Sequence, residues 1–72
     1  MSENGTISVR LNGQDRDIEP GLSVRALVES LDLNPKLIVV ELNREILSRD
    51  CFGDIEVANG DQVELVHFVG GG

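Results

Sequence analysis

Ser23-Val24-Arg25-Ala26-Leu27-Val28-Glu29-Ser30-Leu31 is the stretch of this 72-residue chain on which the fold turns. Val24, Leu27, Val28 and Leu31 stand at i, i+3, i+4 and i+7, one apolar stripe at helical period, while Arg25, Glu29 and Ser30 take the wet side. Ser23 is placed to cap the first turn with its hydroxyl. Asn34-Pro35 closes the segment, because a residue before proline is pushed out of helical geometry. So short a helix is marginal alone and must lie on something.

The flanks supply a sheet. Upstream, Thr6 to Leu11 alternates, with Ile7, Val9 and Leu11 on one face and Thr6, Ser8 and Arg10 on the other. Asn12-Gly13 follows as a two-residue hairpin signal, both positions tolerating positive φ. A short second strand is expected over 15–19 with Ile18 inward, until Pro20-Gly21 breaks it. Downstream, residues 37–42 read as the most buried strand, and Asn43-Arg44-Glu45 turns into a short partner at Ile46-Leu47. Residues 48–54 are irregular with Phe52 as an apolar plug. Ile55 and Val57 form a brief extended piece, residues 58–61 turn, and residues 62–68 make the last long strand. Two strands, one crossing helix and three further strands define an α+β fold. Its expected form is a mixed sheet of four to five strands with one main helix on one face, the β-grasp or ubiquitin-like arrangement. Residues 1–69 are expected to be a single domain and residues 70–72 a flexible C-terminal glycine tail.

That tail, Gly70-Gly71-Gly72, contributes nothing to a core, and glycine loses more freedom on ordering than any other residue. In a domain that buries only roughly 60% of its unfolded surface, three such residues point to a role outside the fold. Without Cβ atoms the backbone can thread a narrow channel and present the α-carboxylate of Gly72 at its far end.

Composition narrows the class. Hydrophobic residues make up 40% of the chain, too many for disorder. No apolar run approaches the ~20 residues of a membrane helix. Met1-Ser2-Glu3-Asn4-Gly5 lacks the basic and apolar regions of a signal peptide, and the one cysteine, Cys51, allows no internal disulfide. These features lead us to expect a cytoplasmic protein without a membrane partner, monomeric when free. Net charge is −7, and from Asp50 onward Asp50, Asp54, Glu56, Asp61 and Glu64 stand without a Lys or Arg. Such a segment repels nucleic acid and is steered toward a basic protein surface. No nucleophile–base pair, phosphate loop or metal-ligand spacing is visible, so the chain does not read as an enzyme or as the holder of a cofactor or metal. His67 is expected to be a partly buried structural imidazole and Cys51 a packing thiol.

Five landmarks together resemble one family: residues 7–11 before Asn12-Gly13, then Ser23-Val24-x-x-Leu27, Val39-x-x-Leu42-Asn43, Gly60-Asp61-x-Val63-Glu64, and Phe68-Val69-Gly70-Gly71-Gly72. The chain looks like the ThiS family of sulfur carriers in thiamine biosynthesis, within the MoaD/ThiS superfamily, and the likeness covers residues 6–72. Two departures stand out: Ile46-Leu47-Ser48-Arg49 replaces an Ile-Val-Pro-Arg-like stretch, and Phe52 holds the place of a bulky residue that is frequently Trp. The small subunit of molybdopterin synthase is similar in fold and double glycine but usually has prolines before them, absent here. A ubiquitin-like protein modifier or interaction module is the reading from another class.

The resemblance implies that Gly72 is adenylated with ATP by an E1-like enzyme (ThiF), then converted to a thiocarboxylate. A sulfur donor such as a cysteine desulfurase would supply that step, and thiazole synthase (ThiG) would take the sulfur. ATP is then used by the partner and no cofactor is bound by the carrier. The chemistry suits the residues: an α-carboxyl ionises near ~3.5, so at neutral pH it is an anion able to attack the α-phosphate. An acyl-adenylate splits a hard substitution into two easier ones. The four residues after Phe68 span roughly 13–14 Å when extended, enough to reach deep into a partner. Beside the tail, the last strand alternates, with Val63, Leu65 and His67 toward the core. Glu64, Val66 and Phe68 then face outward, and Val66, Phe68, Val69, Glu64, Gly70 and Gly71 are the expected partner-binding residues.

Overall fold

The computed structural model describes residues 5–67. Strand β1 (Ile7–Leu11) turns at Asn12-Gly13 into β2 (Gln14–Ile18), and helix α1 (Val24–Ser30) follows. After a 3-10 turn at Pro35–Leu37 come β3 (Ile38–Leu42) and β4 (Glu45–Ile46). A second 3-10 turn at Arg49–Cys51 precedes β5 (Gln62–His67). The five strands form one mixed sheet in the order β2-β1-β5-β3-β4. Only the central pair, β1 and β5, is parallel; β1–β2, β3–β4 and β3–β5 are antiparallel. The expected fold is therefore present, with one helix on one face of a five-stranded sheet.

Turn chemistry fixes both hairpins. Asn12 and Gly13 have φ of +50° and +81°, the two positive values of a type I′ turn, whose twist matches that of the strands. Asn43 and Arg44 repeat the geometry at +51° and +72°.

The helix is assembled by its surroundings as much as by its sequence. Ser23 sits in extended geometry, and its Oγ accepts from the Ala26 N–H at 3.0 Å. The two earlier N–H groups, which no helical carbonyl can reach, are taken by the loop between β4 and β5. Val24 N–H donates to the Ile55 carbonyl at 2.8 Å and Arg25 N–H to that of Phe52 at 2.9 Å. The same loop buries Phe52 and Val57 in the core with Val9, Leu11, Val24, Leu27, Val28, Ile38, Val40 and Val63.

The end of the helix differs from expectation. It stops at Ser30, before Asn34-Pro35 is reached, because Asp32 takes φ +62°. Asp32 N–H then bonds the Glu29 carbonyl and Leu33 N–H that of Val28, a Schellman closure with Leu33 folded onto the core. Asn34 instead opens the next turn, its Oδ1 accepting from Lys36 N–H. Leu37 falls in that turn, not in β3, and is 42% exposed. Strand β2 begins one residue earlier than expected. Strand β4 is Glu45–Ile46, with Leu47 joined to β3 through one bond to the Val40 carbonyl.

Candidate functional site

Helix α1 covers one face of the sheet and leaves the other open. In β3, Ile38 and Val40 are buried under the helix, so Val39 and Glu41 point to the open face. In β5, Val63 is buried and Leu65 half-buried against the core, so Gln62, Glu64 and Val66 point outward. Residues directly opposite across a ladder share a face. The register sets Val39 opposite Val66, Glu41 opposite Glu64, and Ile46 opposite Glu41. Val39, Ile46 and Val66 thus form an apolar patch on the open face, with Ile46 72% and Val66 60% exposed. Glu41 and Glu64 lie side by side between its members. Neither makes an ion pair among the described residues, where the pairs are Arg10–Asp15 and Arg25–Glu29. Like charges directly opposite in a sheet repel.

Val66 and Glu64 are exposed on this face as expected. Phe68, Val69, Gly70, Gly71 and Gly72 lie outside the described residues. His67 departs from the reading: it is exposed, at the end of β5 where β1 no longer runs beside the strand. Cys51 is half-buried in the second 3-10 turn. Arg49 spends its guanidinium on main-chain carbonyls, Nε on Pro35 at 3.2 Å and Nη2 on Ile38 at 3.3 Å, tying the long loop to β3.

Sequence reasoning missed two features. Val39 and Ile46 belong to the patch, which the two-residue turn at Asn43-Arg44 and strand alternation would have shown. Asn12, Asn43 and Asn59 stand in turns, as expected, yet each also reaches a distant strand. Asn59 Oδ1 accepts from Ser8 N–H at 2.9 Å. Asn43 accepts from Gln62 N–H at 2.9 Å and donates to Asp61 Oδ1 at 3.0 Å. Asn12 Oδ1 accepts from Leu65 N–H at 2.8 Å. Side-chain amides carry both donors and acceptors, and here Asn43 and Asn12 hold β5 from its two sides.

The ThiS family model matches residues 9–72. A sulfur carrier protein ThiS of Bacillus subtilis is 35% identical over 65 residues, covering 89% of this chain and 98% of that protein. A thiazole synthase of Magnetococcus marinus is 35% identical over 66 residues, or 92% of this chain. The chain spans about a fifth of the length of that synthase, 20%. The crystal structure of a thiamine biosynthesis protein (ThiS) from Geobacter metallireducens superposes with a TM-score of 0.78 at 33% identity, covering 92% of this chain and 100% of that one. The landmark residues, the β-grasp sheet and these likenesses agree: the chain belongs to the ThiS family.

Proposed function

We propose that this protein is a sulfur carrier that serves thiazole formation in thiamine biosynthesis, with the α-carboxylate of Gly72 as the group that carries the sulfur. The observation that carries the reading is the family match, which runs through the glycine end and follows a strand whose outward face is open and carries the exposed Val66. An E1-like enzyme (ThiF) adenylates Gly72 with ATP. Sulfur from the donor, delivered as sulfide or as a persulfide whose S–S bond a thiol reductant then cleaves, displaces AMP and leaves a thiocarboxylate, and thiazole synthase (ThiG) receives the sulfur. The likeness to thiazole synthases supports that choice over molybdopterin formation. The catalytic groups belong to the partners, which is why this chain reads as a protein substrate and not as an enzyme. Val39, Ile46 and Val66 hold the partner while Gly70 and Gly71 let the tail pass.

Incubation with ATP, the E1-like enzyme and a sulfur donor, followed by intact-mass measurement, tests the reading. The expected result is a gain equal to one oxygen exchanged for sulfur. No gain under conditions that adenylate the protein would overturn it, and stable conjugates to lysine would point to a protein modifier instead. Deleting Gly72 is expected to abolish the gain and leave the thermal midpoint unchanged, since a glycine has no side chain to bury in the core; a large drop in midpoint would contradict that.

A further inference from the structure

Strand β5 is paired along its whole length on one side and only at its start on the other. With β3 it pairs from Val63 to His67, but with β1 only at Arg10↔Gln62 and Leu11↔Val63, after which β1 turns away. Asn12 extends the ladder by one step. Its main-chain N–H donates to the Val63 carbonyl at 2.9 Å, and its side-chain Oδ1 accepts from Leu65 N–H at 2.8 Å. These bonds show that Val63 and Leu65 direct their main-chain groups to the β1 side, and strand alternation sends those of His67 the same way. Among the described residues, β1 supplies no main-chain partner to the Leu65 carbonyl or the His67 N–H, since its pairing with β5 ends at Val63.

We propose that this short edge, Leu65 carbonyl and His67 N–H, receives an extended segment of the adenylating enzyme, which adds to the sheet alongside β5; the inference rests on the carrier reading above. The chemistry specifies the occupant. An acceptor and a donor spaced as in a strand are satisfied by another strand, and exposed edges are used in this way for peptide recognition. Approach is open. A Cβ built on Gly13 meets no atom within 4 Å, and a hollow of about 90 Å³ lined by Arg10, Gly13, Gln62, Val63 and Glu64 marks where β1 leaves β5. The incoming residue beside Val66 is apolar, to match that exposed side chain. The segment is basic, because residues 50–67 carry five acidic side chains and no Lys or Arg.

Proline at 67 isolates the edge. It removes the N–H that faces outward and no bond to β3, since His67 and Ile38 form a pair whose main-chain groups point apart; proline is tolerated at such edges. His67→Pro is expected to lower kcat/KM for adenylation of the protein roughly fivefold or more relative to His67→Ala, the effect of one lost main-chain hydrogen bond. Equal kcat/KM for the two variants would overturn the proposal. If His67→Pro does not fold, amide exchange in the wild-type protein decides: the His67 amide should exchange fast when free and become protected in the complex with the enzyme. A complex that forms while that amide stays unprotected would overturn the edge alone. A wild-type protein that neither binds the enzyme nor is adenylated would overturn the carrier reading, and this inference with it.

Discussion

Arg44 occupies the left-handed region with φ +72°, where an L-residue with a Cβ is crowded against its own carbonyl. Asparagine at the first position of the same turn tolerates the geometry, and Gly13 meets the same demand in the other hairpin at no steric cost. Arg44 lies beside Glu41, Gln62 and Glu64 at the edge of the open face, where a cation offsets part of the repulsion between the two carboxylates. Relief of backbone strain outweighs that exposed attraction, which solvent screens. Arg44→Gly is therefore expected to raise stability by about 0.5 kcal/mol, the strain relieved less the extra freedom of glycine in the unfolded chain. Urea denaturation compared with wild type checks the sign. A loss of stability would show that the cation matters more to the fold than the turn does.

At the scale of elements, β5 is held by side chains as well as by the ladder. Asn12 is the clearest case, because its main chain makes the hairpin and its side chain ends the β1 side of β5. Asn12→Gly keeps the positive φ but deletes the acceptor. It is expected to cost about 1–2 kcal/mol and to speed exchange of the Leu65 amide more than that of its neighbours. Asn12→Asp keeps an acceptor at the same position and should leave the Leu65 amide protected. Exchange measured residue by residue separates the two; equal behaviour would mean that the ladder with β3 suffices. The helix is likewise completed from outside, since carbonyls of Phe52 and Ile55 satisfy its first two N–H groups. The long loop after β4 is thus part of the helix terminus, and its irregular sequence is held in place by that demand.

At the scale of the whole molecule, one face is closed by the helix and the other is free to dock, on a body of net charge −7. Ile46→Asp with Val66→Asp is expected to leave stability within about 1 kcal/mol, because both side chains are already exposed and such sites tolerate change. On the proposed carrier function, the same pair should weaken binding to the adenylating enzyme more than tenfold, by placing two further charges beside Glu41 and Glu64 in the interface that function requires. Calorimetric titration with the enzyme checks this, and unchanged affinity would move the docking surface elsewhere. Acidic steering has its own signature. The association rate should fall as salt rises from 0.05 to about 0.5 M, while the dissociation rate changes less. A salt-independent association rate would leave the acidity with a role in solubility alone.

The sequence by itself determined the succession of elements, the two strand turns, the helix cap and the buried stripe, because each rests on residues within a few positions of one another. Ser23 capping Ala26, the alternation through β1 and the positive φ at Asn12-Gly13 are local physics, legible wherever they occur. The family's glycine end and landmarks were legible for the same reason. What only the tertiary structure decided depends on neighbours brought from far along the chain. Strand order set Glu41 against Glu64 and gathered Val39, Ile46 and Val66 into one patch. The end of the helix at Ser30 and the exposure of His67 followed from where the chain had to turn and where β1 leaves β5. The asparagine bonds Ser8–Asn59 and Leu65–Asn12 span 51 and 53 residues, and no local pattern encodes a partner at that distance. Side-chain amides go where an unpaired main-chain group is left, and which groups are left unpaired is known only once the sheet has formed.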